Sequence, residues 1–130
     1  MNNSKLFFGH DSDSTIMVRK DRAEVNTWTD HLEYINEELE YILGIEDRML
    51  NNRQLYNQLN ALRRENQLKL SLLYRYEASM RNAIECDTTA CDTFYLHTHE
   101  KNRNVFIDHV KKYRQVKSNV LSKILIYVRR

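Results

Sequence analysis

Proline is absent from the 130 residues, and glycine occurs only at Gly9 and Gly44. Those two residue types shape tight turns and sheet corners, so an all-β or α/β chain would lack its usual turn chemistry here. From Ile45 to Arg130 neither occurs at all. That composition suits long helices joined by short polar connectors. No apolar run approaches the ~18 residues of a membrane span. The apolar patch near the N-terminus, Leu6–Phe8, is too short for the core of a signal peptide. We therefore expect a soluble cytoplasmic protein, in which the two cysteines, Cys86 and Cys91, are reduced thiols.

Catalytic signatures are equally scarce. With only two glycines, 35 positions apart, there is no phosphate cradle and no glycine-built oxyanion loop. A nucleophile elbow is also missing. These absences point away from an enzyme and imply no cofactor.

What the chain does contain is charge of opposite sign in different places. Glu24 to Leu50 carries eight acids against Arg48 alone, while Lys101 to Arg130 carries nine Lys/Arg and one acid, Asp108. The net charge is only +2, so any polyanion partner must be recognised through local distribution.

Apolar spacing gives three helices. The first is expected to begin near Val25, with Trp28, Leu32, Ile35, Leu39, Ile42 and Met49 on one face and Glu46 at the polar step. Gly44 is a helix-weakening residue within it, marking a kink, a close contact or an early end. Asn51-Asn52 is the connector, because Asn tolerates left-handed geometry and caps helices. The second helix runs from about Arg53 to Cys86 on Leu55, Leu59, Leu62, Leu73, Tyr76, Met80 and Ala83. Asn66 and Lys69 interrupt that seam, so its buried face should drift toward Leu70. Tyr74 and Tyr76 are too close to share a face, so at least one should be exposed. Asp87-Thr88-Thr89 is the second connector. A third helical region, Ala90 to about Val128, carries Phe106, Val110, Tyr113, Val120, Ile124 and Tyr127, with Lys117 extending its stem over the core. Residues 1–22 are polar and aperiodic and are expected to form a flexible tail ahead of the bundle, 23–130.

The fold expected is an all-α antiparallel three-helix bundle with coiled-coil-like stripes. If the last helix breaks near 101–104, a four-helix bundle is the alternative. Otherwise its end should overhang its neighbours, a natural place for a second chain.

Three constellations bear on function. Cys86, Cys91, His97 and His99 are ligand types that zinc prefers. Only five residues separate the pairs, however, and His97 and His99 point apart on a helix, so the set converges only if 90–100 is not helical. A carboxylate-bridged di-metal site needs Glu-x-x-His, which does not occur. In the basic segment, Arg103, Lys111, Lys112, Arg114 and Lys117 are candidates for polyanion binding, but the charges form no continuous row and no base-reading turn precedes them. The reading favoured is that basic and acidic helices pair with each other, Glu33, Glu37 and Glu40 bordering Lys111, Arg114 or Lys117. The function expected is a non-enzymatic structural or protein-interaction module that self-associates. Nucleic-acid or other polyanion binding is the alternative, and metal binding at Cys86/Cys91/His97/His99 the third.

Overall fold

The computed structural model describes residues 9–85 and 89–129, with side chains over 16–80 and 92–129. Three helices account for nearly all of them: α1, Gly9–Ile45; α2, Arg53–Glu85; and α3, Thr89–Arg129. A π-helical turn, Glu46–Leu50, joins α1 to α2. This is the expected three-helix bundle. α3 continues unbroken through 101–104, so the four-helix alternative is not taken.

α1 begins at Gly9 rather than near Val25, so residues 9–22, expected in a flexible tail, belong to the helix. The physical reason is visible in the core. Val18, Val25, Leu32 and Leu39 recur every seven residues and are 4, 0, 0 and 0% exposed. The heptad seam therefore runs back into the polar segment, and Arg22 bridges from it to Glu77 of α2 at 3.4 Å. Residues 1–8 lie outside the described residues.

The α1–α2 corner forms as its asparagines suggest. Asn51 is left-handed (φ 48°), and its N–H donates to the Glu46 carbonyl at 2.8 Å. The Asn52 side chain accepts from the Leu55 N–H at 3.0 Å, capping α2. Glu46 fills the polar step of the apolar stripe. It is buried, and its carboxylate accepts from the Asn52 N–H at 2.7 Å. Gly44 has neither a positive φ nor a close neighbour: a Cβ there would meet nothing within 4 Å.

The core is the apolar stripe of each helix, with Leu32, Ile35 and Leu39 of α1 against Leu55, Leu59 and Leu62 of α2. α1 and α2 approach most closely, whereas α3 stands off from α1. Bulky rings fill that gap. Trp28 stacks between His99 (centroids 5.2 Å apart) and Phe106 (5.5 Å). The buried face of α2 does drift to Leu70, and Tyr74 is exposed while Tyr76 is half-buried. Tyr127, expected on the core stripe, is exposed. At 1.5 Å per residue α3 is roughly 60 Å long against roughly 50 Å for α2. Its last turn has little left to pack on.

Candidate functional site

Two polar layers cross the apolar core, and each joins all three helices. In the lower layer, Asp21 and Glu24 lie one turn apart on α1, Tyr76 comes from α2, and Tyr95, His99 and Arg103 from α3. His99 is 3% exposed. Its Nε2–H donates to Glu24 Oε1 at 2.8 Å, with Asp21 Oδ1 at 3.5 Å. Because a carboxylate only accepts, Nε2 carries a proton, and Nδ1 lies 2.6 Å from the Tyr76 hydroxyl. The Tyr95 hydroxyl donates to Asp21 Oδ2 at 2.9 Å. Arg103 grips both oxygens of Glu24, at 2.8 and 2.9 Å, and also pairs with Glu100.

The electrostatics follow from these contacts. The Arg103 hydrogen bond, helped by His99, pulls the Glu24 carboxyl down to about 2 against the opposing effect of burial. Arg103 is in turn raised by its bond to Glu24. Burial raises the Tyr76 and Tyr95 phenols, and the carboxylate of Asp21 adds to it.

The upper layer is smaller and drier. Asn66 is fully buried, donating to the Leu32 carbonyl and to Asn36 Oδ1, each at 2.8 Å. Its own Oδ1 faces His109 Nε2 at 2.7 Å, so that nitrogen carries the proton. His109 Nδ1 is buried without a hydrogen-bond partner, 3.7 Å from Glu65 Oε1. Burial lowers the pKa of His109, while Glu65 is itself lowered by the ammonium of Lys112 at 2.9 Å. Asn66 is therefore no interruption of the α2 seam. It occupies the seam position between Leu59 and Leu73, where a buried amide selects register.

The residues singled out from sequence fall as follows. Cys86 lies outside the described residues. Cys91 is within α3, whose helical course sends His97 to the surface and His99 into the core. The two histidines are thus sent apart, and the side chains of both cysteines lie outside the described residues. His99 instead meets Asp21 and Glu24, and their three ligand atoms lie within 4.8 Å of one another. Both ring nitrogens and both Glu24 oxygens are already engaged, so the Arg103 guanidinium supplies the positive charge that a cation would bring. Sequence reasoning missed Asp21 and Glu24 as partners of His99 in the lower layer, and the Asn66–His109 pair of the upper one. A detectable signal was His99 itself, seven residues before Phe106 and fourteen before Tyr113 on the same stripe.

Of the five basic candidates, three are used internally. Arg103 binds Glu24, Lys112 binds Glu65, and Lys117 reaches Glu38 at 2.7 Å while lying 5.9 Å over the Tyr113 ring. Glu38 also accepts from the Tyr113 hydroxyl. The acidic helix and the basic helix do pair, through Glu24 and Glu38 rather than through Glu33, Glu37 or Glu40. Glu33 instead binds Tyr74, whose phenol is pushed up to about 12, and Glu40 binds Arg63. Lys111 and Arg114 make no ion pair among the described residues.

An open groove lies between α1 and α3, lined by residues that include His31, Tyr34, Val110, Arg114, Ser118 and Leu121. Tyr41 continues the α1 side and Leu125 and Val128 the α3 side, at 76, 67 and 70% exposure. No helix among the described residues is long and apolar enough to cross a membrane. Comparison with family models, with curated proteins and with solved structures gives no match.

Proposed function

We propose that the chain is a non-enzymatic cytoplasmic helical-bundle module that works by binding protein through its α1–α3 face. The observation that carries this reading is the exposed apolar strip at the end of α3: Leu121, Leu125 and Val128 are 50, 67 and 70% exposed and share one side of the helix. With Tyr34 and Tyr41 across the groove, they make a concentration of large apolar groups that a lone soluble domain rarely leaves in water. The groups capable of chemistry, His99, His109 and their carboxylates, are committed to bonds inside the bundle and serve to align the helices.

The polyanion alternative retains only Lys111 and Arg114 as uncommitted cations beside the aromatic groove, and it is the second reading. Site-specific photo-cross-linking in cells tests the first. A benzophenone side chain at Tyr41 or Leu125 is expected to give one discrete protein adduct, and none when placed at Leu68 or Leu72 on α2. No adduct at the α1–α3 positions overturns the proposal.

A further inference from the structure

We infer that the partner of this face is a second copy of the chain, related by a two-fold axis parallel to the bundle and setting α1 of each copy against α3 of the other. The inference rests on the interaction-module reading and adds the identity and geometry of the partner. It stands on charge complementarity between the two sides of the groove. On α1, Tyr34 and Tyr41 are flanked by Asp30 and Glu37, two exposed acids that make no ion pair among the described residues, Asp30 also lying within electrostatic reach of Tyr74 of α2. The α3 side presents Ile107, Leu121 and Leu125 with Lys111 and Arg114, equally uncommitted. All four are exposed and stand outside the ion pairs that join the helices.

Height matters as much as sign. His31 packs on Phe106, with ring centroids 5.7 Å apart, and Glu38 meets Lys117 at 2.7 Å. Asp30 to Glu37 therefore covers the same level of the bundle as 106–117, where Lys111 and Arg114 lie. α1 and α3 run in the same direction, because each is separated from α2 by one reversal. Self-association of a face through a two-fold axis has two simple solutions. With the axis perpendicular to the bundle at the level of these charges, α1 would lie antiparallel on α1 and α3 on α3, placing acids on acids and cations on cations. With the axis parallel to the bundle, α1 lies on α3 twice, at matched height and opposite sign. Charge repulsion rejects the first arrangement and the second satisfies both seams. The apolar residues supply the contact: from Ile107 to Val128 the α3 strip runs roughly 30 Å.

Sedimentation equilibrium with two charge-reversed variants tests this. Asp30→Lys/Glu37→Lys makes both seams cationic, and Lys111→Glu/Arg114→Glu makes both acidic. All four positions are exposed, so circular dichroism should show unchanged helix content in each variant. The wild type is expected to be a dimer, each variant to dimerise at least about tenfold more weakly, and an equimolar mixture of the two to recover a one-to-one dimer. A wild type that is monomeric at about 1 mM overturns the self-pairing, as do variants that dimerise like the wild type or a mixture that stays monomeric. Such a failure is distinct from failure of the module itself. In that case Tyr41 and Leu125 still cross-link a different protein, whereas the module fails only when they cross-link none.

Discussion

Replacing Asn66 with Ala removes the centre of the upper polar layer and isolates its partners. Asn66 is 0% exposed and makes three bonds of 2.7–2.8 Å, to Leu32, Asn36 and His109. The Leu32 carbonyl keeps its helical partner and loses little. Asn36 is half-buried and regains some water. The His109 N–H is 2% exposed at residue level and has nowhere to turn. A stranded buried polar group costs about 1–3 kcal/mol. Taking the upper part of that range for His109 and the lower part for Asn36 gives a loss of about 3 kcal/mol, or about 10 °C in Tm for a chain of this size. Urea denaturation followed by circular dichroism measures it, with an unchanged slope showing that the two end states are preserved. The double variant Asn66→Leu/His109→Ala roughly conserves volume and removes both partners, so it should recover to within about 1 kcal/mol of wild type. Asn66→Ala within about 0.5 kcal/mol of wild type would refute the layer as a structural element.

Gly44→Ala should stabilise the protein by about 1 kcal/mol in the same assay, since Gly44 is helical and its Cβ would meet nothing within 4 Å. Stability should fall with pH in two stages. Below about 6.5 the unfolded chain takes up a proton that buried His109, with its lowered pKa, does not, so stability is full above that pH and declines beneath it. Below about 4.5 the depressed carboxyls of Glu24 and Glu65 add a second decline, which for Glu24 runs to about 2. His109→Gln should flatten the first stage only, as read by urea midpoints across pH. Binding to a single-stranded oligonucleotide, followed by fluorescence anisotropy, should be weak, with a log–log salt slope no steeper than about −1.5, the value for two phosphate contacts. A slope steeper than about −3, as all five basic candidates would give, and its loss in Lys111→Gln/Arg114→Gln, would favour the polyanion reading instead.

The fold was legible wherever burial is written in apolar residues. Leu55, Leu59 and Leu62, or Leu32, Ile35 and Leu39, recur at helical spacing and are buried. The start of α1 was not read because the short apolar run Ile16-Met17-Val18 has no helical period of its own, and Val18 joins the seam only when followed by sevens to Val25 and Leu32. Asn66 looked like a break for the same reason: a stripe scored by hydrophobicity counts an amide as an interruption, although its bonds satisfy it in the core. The opposed charges of α1 and α3 foretold that the helices pair. Which acids take part was not legible, because Glu24 and Glu38 are distinguished from Glu33 and Glu37 only by their angle around α1 relative to α3. Helical continuity through 90–100 sends His97 and His99 to different sides of α3, while Cys86 and the Cys91 side chain lie outside the described residues.

The claim that the α1–α3 face is where the molecule associates is tested most directly by hydrogen exchange read by mass spectrometry at low and high protein concentration. Dilution should accelerate exchange over 30–41 and 107–128 and leave 64–75, around Leu68 and Leu72 on the outer face of α2, unchanged. Exchange independent of concentration everywhere, or a concentration effect confined to 64–75, would contradict it.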